Sequence, residues 1–291
     1  MLGAYFYHFL RLVMRSFRRW LVALLILLTP TAMASGPCVE LEGQSIQGGL
    51  LWGQAAPDAK ISLDGTSVQL TPDGQFVLGL GRDAPSQQTL EIHDSGNCTQ
   101  VIDVAARDYR IQRVEGVPQK TVTPPEHELA RIARERKLVQ AAKAQRLERP
   151  EYLLSVRLGM VWPAVGPISG VYGSQRVYNG TPGSPHYGVD VAVPKGHPVT
   201  APAPGVVTLA EPDLFYSGGT VILDHGYGLS SSFLHLSAVH VQVGDELAVG
   251  DLIGAVGATG RATGPHLDWR MSWGDERIDP QLLVPPMPAA K

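Results

Sequence analysis

The sequence predicts a mainly β chain: a β-sandwich-like region, a connecting helix and a second β region. Three observations predict it. Glycine and proline are abundant, at 32 and 23 of 291 residues, and such punctuation favours short strands and many turns. Apolar residues recur in short runs of period two, as half-buried strands require. Only 121–149 carries a long helical period. Hydrophobic residues make up 44% and charged residues 18%, so the chain can bury cores and is not broadly disordered. The formal net charge of -3 argues against a nucleic-acid binder, which needs a basic face.

Residues 1–34 read as a secretory signal. Arg15, Arg18 and Arg19 form a basic segment, Trp20 to Leu28 is a run of nine apolar residues, and Ala32-Met33-Ala34 offers small residues at the cleavage positions. The run is short against the roughly 20 residues a membrane-spanning helix needs, so no stable span is expected after cleavage. Met14 is a candidate start that would shorten the signal. Pro37 before Cys38 disfavours a lipoprotein anchor. The expected location is outside the cytoplasm, in the periplasm or cell envelope. The chain's two cysteines, Cys38 and Cys98, both follow the signal, and an even count in an exported chain predicts one disulfide.

Residues 36–112 read as the β-sandwich-like domain. Lys60–Leu63 and Ser67–Leu70 alternate polar and apolar residues around an Asp64-Gly65 hairpin signal. Gln75–Leu80, Leu90–Ile92 and Gln100–Val104 extend the pattern. No catalytic constellation falls here. Residues 121–149 read as a linker helix, with Thr123 as cap, Pro124 at the first helical position and Glu126 completing a capping box. Leu129, Ile132, Val139 and Ala142 supply its apolar stripe, and Pro150 ends it.

Residues 151–285 form the second β domain. Its strand candidates are Gly188–Val193, Gly205–Leu209, Thr220–Leu223, Leu229–His235, Leu252–Val256 and His266–Met271, with no helix-length pattern between them. Ligand-type side chains concentrate here. His186-Tyr-Gly-Val-Asp190 sets an imidazole and a carboxylate four apart, at a turn entering a strand. His266-Leu-Asp268 puts both polar groups on one strand face. Alternation in Phe233-Leu-His235-Leu sends Phe233 and His235 to one face and the two leucines to the core. Three N/O ligands with one open position make a catalytic zinc site. His186, Asp190 and Asp268 can supply them, leaving His235 and His266 for proton transfer. His225, before a turn, reads as structural, and Arg176 and Asn179 lie on the approach to His186.

These stretches resemble the lysostaphin-like, or LytM-type, zinc endopeptidases. The likeness is carried by His186-Tyr-Gly-Val-Asp190-Val-Ala-Val-Pro, Pro198-Val-Thr-Ala-Pro-Ala-Pro-Gly205-Val-Val, Phe233-Leu-His235-Leu-Ser, Val243-Gly-Asp245-Glu-Leu-Ala-Val-Gly250 and Thr263-Gly-Pro-His266-Leu. It implies a compact antiparallel β fold with a zinc-binding groove. It implies that His186 and Asp190 bind Zn2+, and that His235 and His266 assist water attack and steady the oxyanion, with the division between them open. The implied substrate is peptidoglycan, cut at peptide bonds. The family usually has a second histidine in its last motif, as third ligand; here Asp268 stands there, and a carboxylate oxygen can bind zinc at about 2.0–2.2 Å. Relatives that have lost ligands act as regulators, binding and activating other cell-wall hydrolases, so a regulator is the alternative function. Val243–Gly250 also resembles the hairpins of biotin and lipoyl carriers, but no lysine occurs from 196 to 290, which excludes that reading.

Overall fold

In the computed structural model, which describes residues 37–94, 96–114 and 125–288, the chain from Cys38 onward forms one compact unit. The signal over 1–34 and the capping residues Thr123 and Pro124 lie outside the described residues. The first region carries strands β1 (Leu41–Gly43), β2 (Leu50–Gln54), β3 (Lys60–Leu63), β4 (Thr66–Val68), β5 (Gln75–Gly79), β6 (Gln87–His93), β7 (Asn97–Asp103) and β8 (Ile111–Val114). They form a three-stranded sheet, β1-β2-β5, and a four-stranded sheet, β4-β3-β6-β7. The β3–β4 hairpin closes on Asp64 (φ 46°) and Gly65 (φ 77°), the two left-handed residues a tight hairpin turn demands. Strands β1, β2 and β8 were not anticipated from the sequence. Cys38 and Cys98 are joined as a disulfide, Cα–Cα 5.8 Å.

The helical segment begins with a 3-10 turn, Glu126–Glu128, and continues as α1 (Leu129–Ala144). It stops at Gln145, whose ψ of 131° is extended. Pro150 does not merely bar a helix; it starts a second one, α2 (Pro150–Leu158), because its fixed φ suits a first helical position and its missing N–H costs nothing there. That helix was not expected in a region read as all β. Ala142 and Val139 pack α1 on Leu209, Leu214 and Ile222 of the second region. Arg131 and Glu135 hold its other end to Asp213 and to the Phe215 backbone.

The second region contains β9 (Ile168–Gly170), β10 (Gln175–Tyr178), β11 (Thr181–Pro182), β12 (Gly188–Val191), β13 (Pro198–Thr200), β14 (Gly205–Leu214), β15 (Gly218–Asp224), β16 (Leu229–Val239), β17 (Glu246–Leu247), β18 (Leu252–Val256), β19 (Leu267–Trp273) and β20 (Glu276–Ile278). Its main sheet runs β17-β14-β15-β16-β19-β12-β9, with β13, β18 and β20 joined beside it, and every pair in it is antiparallel. Alternation on β19 buries Leu267, Trp269 and Met271 completely and turns Asp268, Arg270 and Ser272 to the opposite face. On β12 it buries Val189 and Val191 and leaves Gly188 and Asp190 on that same opposite face.

One hydrophobic core runs from Leu50 to Ile278 and includes residues of both β regions. Gly79 of β5 fits against Trp273, where an added Cβ would lie 2.7 Å from that residue's own Cβ. Arg82 donates from Nε and Nη2 to the Gly173 carbonyl at 3.0 and 2.9 Å, and β8 pairs in parallel with β10. The strongly apolar inner face of β19 therefore sits on a core that spans both regions, which makes the site strand a rigid platform.

Candidate metal centre

Cross-strand register brings the two aspartates together. Asp190 on β12 is the direct antiparallel partner of Asp268 on β19, so their side chains project from the same face of the sheet. His186 lies two residues before β12, where its N–H donates to the Ser174 carbonyl at 2.8 Å and its carbonyl accepts from Gly173 at 2.8 Å. These backbone bonds fold the loop so that His186 Nε2 comes within 3.2 Å of Asp190 Oδ1. Each of His186, Asp190 and Asp268 offers one ligand atom, and all three atoms lie within 4.8 Å of one another.

Two of those atoms have unmet bonding capacity. His186 Nε2 and Asp190 Oδ1 are buried and make no hydrogen bond. A buried polar atom left unsatisfied costs roughly 1–3 kcal/mol, and two lone-pair atoms aimed at one point fit a cation held between them. One imidazole nitrogen and two carboxylate oxygens form a donor set suited to zinc, with room for a fourth position. Gly170 on β9 makes space for the cluster: a Cβ there would lie 2.1 Å from Asp190 Oδ2.

Asp268 is 2% exposed and has a close partner. Arg270, two residues on and on the same face, donates from Nε to both carboxylate oxygens at 3.0 and 3.1 Å and from Nη2 to Oδ2 at 2.5 Å. Burial works against the charged carboxylate, yet the Arg270 guanidinium outweighs it and holds the Asp268 carboxyl below its usual range. Arg270 lies opposite Gly188, and an added Cβ at Gly188 would come 2.6 Å from Arg270 Cγ. The same two-residue spacing that pairs His266 with Asp268 pairs Asp268 with Arg270. Arg270 was therefore legible in the sequence, and it was missed.

The two remaining histidines meet beside this cluster, with ring centroids 4.9 Å apart. His266 Nε2 is 3.8 Å from Asp190 Oδ1. His235 reaches the site differently from the expected alternation. Phe233 pairs with Val221 and Leu236 with Gly219, so Leu234 and His235 together oppose Thr220 alone. This β-bulge keeps both Phe233 and Leu236 in the core, whereas alternation had placed Phe233 with His235 on the outer face. It leaves His235 in the left-handed region at φ 64°. For a residue with a Cβ that conformation persists only when its surroundings hold it. Here the His235 N–H donates to the Ser217 carbonyl and its Nδ1 to the Thr259 carbonyl, both at 2.8 Å.

Those carbonyls also decide the tautomers. A carbonyl oxygen only accepts, so Nδ1 of His235 carries its proton toward Thr259, and Nδ1 of His266 carries its proton toward Gly264 at 2.8 Å. In the neutral rings both Nε2 atoms then present a lone pair. Burial lowers the His235 pKa from 6.5, keeping that ring neutral near pH 7. His225 is enclosed between the Pro204 carbonyl and the Ser231 hydroxyl at 2.7 and 2.8 Å, and burial pushes it down to about 4; it supports the sheet. Arg176 donates to Gln112 at 3.3 Å, and Asn179 (φ 48°) turns the β10–β11 hairpin.

A family model described as Peptidase family M23 covers residues 184–280, a span that includes His186, Asp190, His235, His266 and Asp268. A crystal structure of a peptidase M23 from Pseudomonas aeruginosa is 32% identical, covers 83% of this chain and 95% of that one, and superposes with a TM-score of 0.64. The DD-carboxypeptidase/endopeptidase Mpg of Neisseria meningitidis is 38% identical over 103 residues, 35% of this chain and 24% of that protein. The peptidoglycan DD-endopeptidase ShyA of Vibrio cholerae is 40% identical over 88 residues, 30% of this chain and 20% of that protein. This chain thus spans a quarter or less of the length of those two curated relatives.

Proposed function

Because the chain belongs to peptidase family M23, we propose that it is a zinc-dependent endopeptidase that hydrolyses peptide bonds in bacterial peptidoglycan. The observation that carries this reading is the pair of buried, unpaired atoms His186 Nε2 and Asp190 Oδ1, with an Asp268 oxygen in reach of the same point. His186, Asp190 and Asp268 would hold the ion. Bound there, zinc would polarise the scissile carbonyl and lower the pKa of a water molecule.

The protein's own groups do the rest. The Nε2 lone pairs of His235 and His266 stand beside the ligand cluster; one would take the proton of the attacking water, and the other, carrying a proton taken up from solvent at Nε2, would steady the oxyanion. The carbonyls of Thr259 and Gly264 hold both rings in the orientation this requires. The division into a β-sandwich-like region over 36–112, a linker helix over 121–149 and a peptidase region over 151–285 is part of the same proposal. So is export to the periplasm or cell envelope, supported by the Cys38–Cys98 disulfide, since such bonds persist in oxidising compartments. Among the described residues no helix is long and apolar enough to cross a membrane. The names of Mpg and ShyA favour stem-peptide cross-links as the bonds cut.

The Arg270 clasp on Asp268 favours one other reading: a LytM-type regulator that binds and activates other cell-wall hydrolases and does no chemistry itself. Digestion of purified sacculi, with and without a chelator, followed by mass analysis of the fragments, separates the two. Chelator-sensitive release of peptide-linked fragments is expected; sacculi left intact by metal-loaded protein would sink the peptidase reading.

A further inference from the structure

We propose that Arg270 is a positioning residue for the metal centre, converting Asp268 into a ligand of no net charge with a single fixed orientation. This rests on the peptidase reading and adds to it a residue outside the five singled out from the sequence.

The ligand set His186, Asp190 and Asp268 carries a formal charge of minus two. Arg270, permanently protonated, is the one cation within ion-pair distance of any of its carboxylates apart from the histidines themselves, among the described residues. Its three hydrogen bonds to Asp268 bring the cluster to minus one and make the Asp268–Arg270 unit neutral, as an imidazole ligand is. The bonds are unequal. Oδ2 receives Nε and Nη2, whereas Oδ1 receives Nε alone at 3.0 Å. A carboxylate oxygen accepts along more than one lone pair, so Oδ1 retains the larger free capacity for a cation. The fork fixes the plane of the carboxylate, as two-point arginine contacts do. Partners of this kind orient a ligand and tune its donor strength.

The backbone is built to allow the clasp. Gly188 is the cross-strand partner of Arg270, and an added Cβ would lie 2.6 Å from Arg270 Cγ and 2.7 Å from Asp268 Oδ1. The same Cβ would lie 2.5 Å from the Trp269 carbonyl oxygen, so glycine at 188 clears the β19 backbone as well as both side chains of the clasp.

The test is a double-mutant cycle read as zinc affinity, with Asp268→His as the second substitution. A histidine at 268 is a neutral ligand that needs no clasp. Removing Arg270 withdraws a positive charge in either background, but removes an orienting contact only when Asp268 is present. The effect of Arg270→Met on the zinc dissociation constant, measured by competition with a chromophoric chelator, should therefore differ between the Asp268 and D268H backgrounds by about tenfold, at the lower end of such outer-partner effects. In cobalt-substituted protein, R270M should change the visible spectrum in the Asp268 background and leave it unchanged in the D268H background. A purely structural arginine would shift thermal stability alone. If R270M fails to fold, Arg270→Lys keeps the charge, loses the two-pronged contact and completes the same cycle. A coupling under fivefold in wild-type protein that binds zinc overturns the role given to Arg270 and leaves the peptidase reading standing. Wild-type protein that takes up no zinc overturns that reading itself.

Discussion

Asp190 and Asp268 are directly paired across β12 and β19, two carboxylates at positions where like charges ordinarily repel. One is neutralised by Arg270. The other points an unbonded oxygen at His186 Nε2 from 3.2 Å. Two unpaired buried atoms there are costly without a cation.

His186→Ala and Asp190→Asn should each abolish tight metal binding while leaving the sheet folded, because both side chains project from the face opposite the core. In the wild type, metal at 100 times its Kd should stabilise the fold by about 2.7 kcal/mol. Thermal unfolding with and without chelator checks this: the two curves should separate for the wild type and coincide for either variant.

His266→Ala and His235→Ala should retain metal and lose turnover by roughly 10²–10⁴-fold, the range for removing a positioned acid or base. Metal content measured beside sacculus hydrolysis reads both. Normal cleavage by His266→Ala would refute its role.

The rate profile should reflect the burial of His235. A base works in its neutral form, and burial lowers the pKa of this ring from 6.5, so lowering the pH protonates it later than an exposed histidine. The acid limb attributable to His235 should lie below pH 6.5 and vanish in His235→Ala. A limb above pH 7 that follows His235 would contradict this assignment.

Gly170→Ala should displace the Asp190 carboxylate, since its new Cβ would fall 2.1 Å from Oδ2. A loss of metal affinity of tenfold or more is expected, corresponding to about 1.4 kcal/mol. Gly264→Ala is the control: nothing lies within 4 Å of a Cβ there, although the residue holds His266 through its carbonyl. Calorimetric titration with zinc distinguishes the two variants.

Replacing Cys38 and Cys98 together by serine should lower stability by about 4 kcal/mol in the chain-entropy model, given a separation of 60 residues. Urea unfolding of the variant beside oxidised wild type measures it, and identical midpoints would show that the bond constrains little of the unfolded chain.

Much of this molecule was readable before any fold was known. The Asp64-Gly65 hairpin follows from local turn chemistry, and six of the twelve strands of the second region, β12, β14, β15, β16, β18 and β19, follow from short apolar runs between turns; both depend on neighbours within a few residues. The candidate ligands of the site were legible for the same reason. His186 with Asp190, and His266 with Asp268, are short-range pairs in stretches that resemble a known family. Where the reading failed, the determinant was distant. Strands β1 and β2 are too short or too buried for a clear period. Pro150 reads as a stop, but α1 already ends at Ala144 and Pro150 opens α2, whose Leu153 and Val156 join the distant core.

By itself, then, the sequence determined the mainly β class, the hairpin turns and the identity of the metal-ligand candidates, because propensity, turn geometry and residue chemistry are local properties. Tertiary structure alone decided which strands meet at the site and how His235 reaches it. The bulge opposite Thr220 exists because β15 and β16 pair out of step there, and it gives His235 its position. The Asp268–Arg270 clasp has its space because Gly188, eighty residues before Asp268, is the cross-strand neighbour of Arg270. Register is set by pairing between strands far apart in sequence, so no periodicity within a single strand could reveal it.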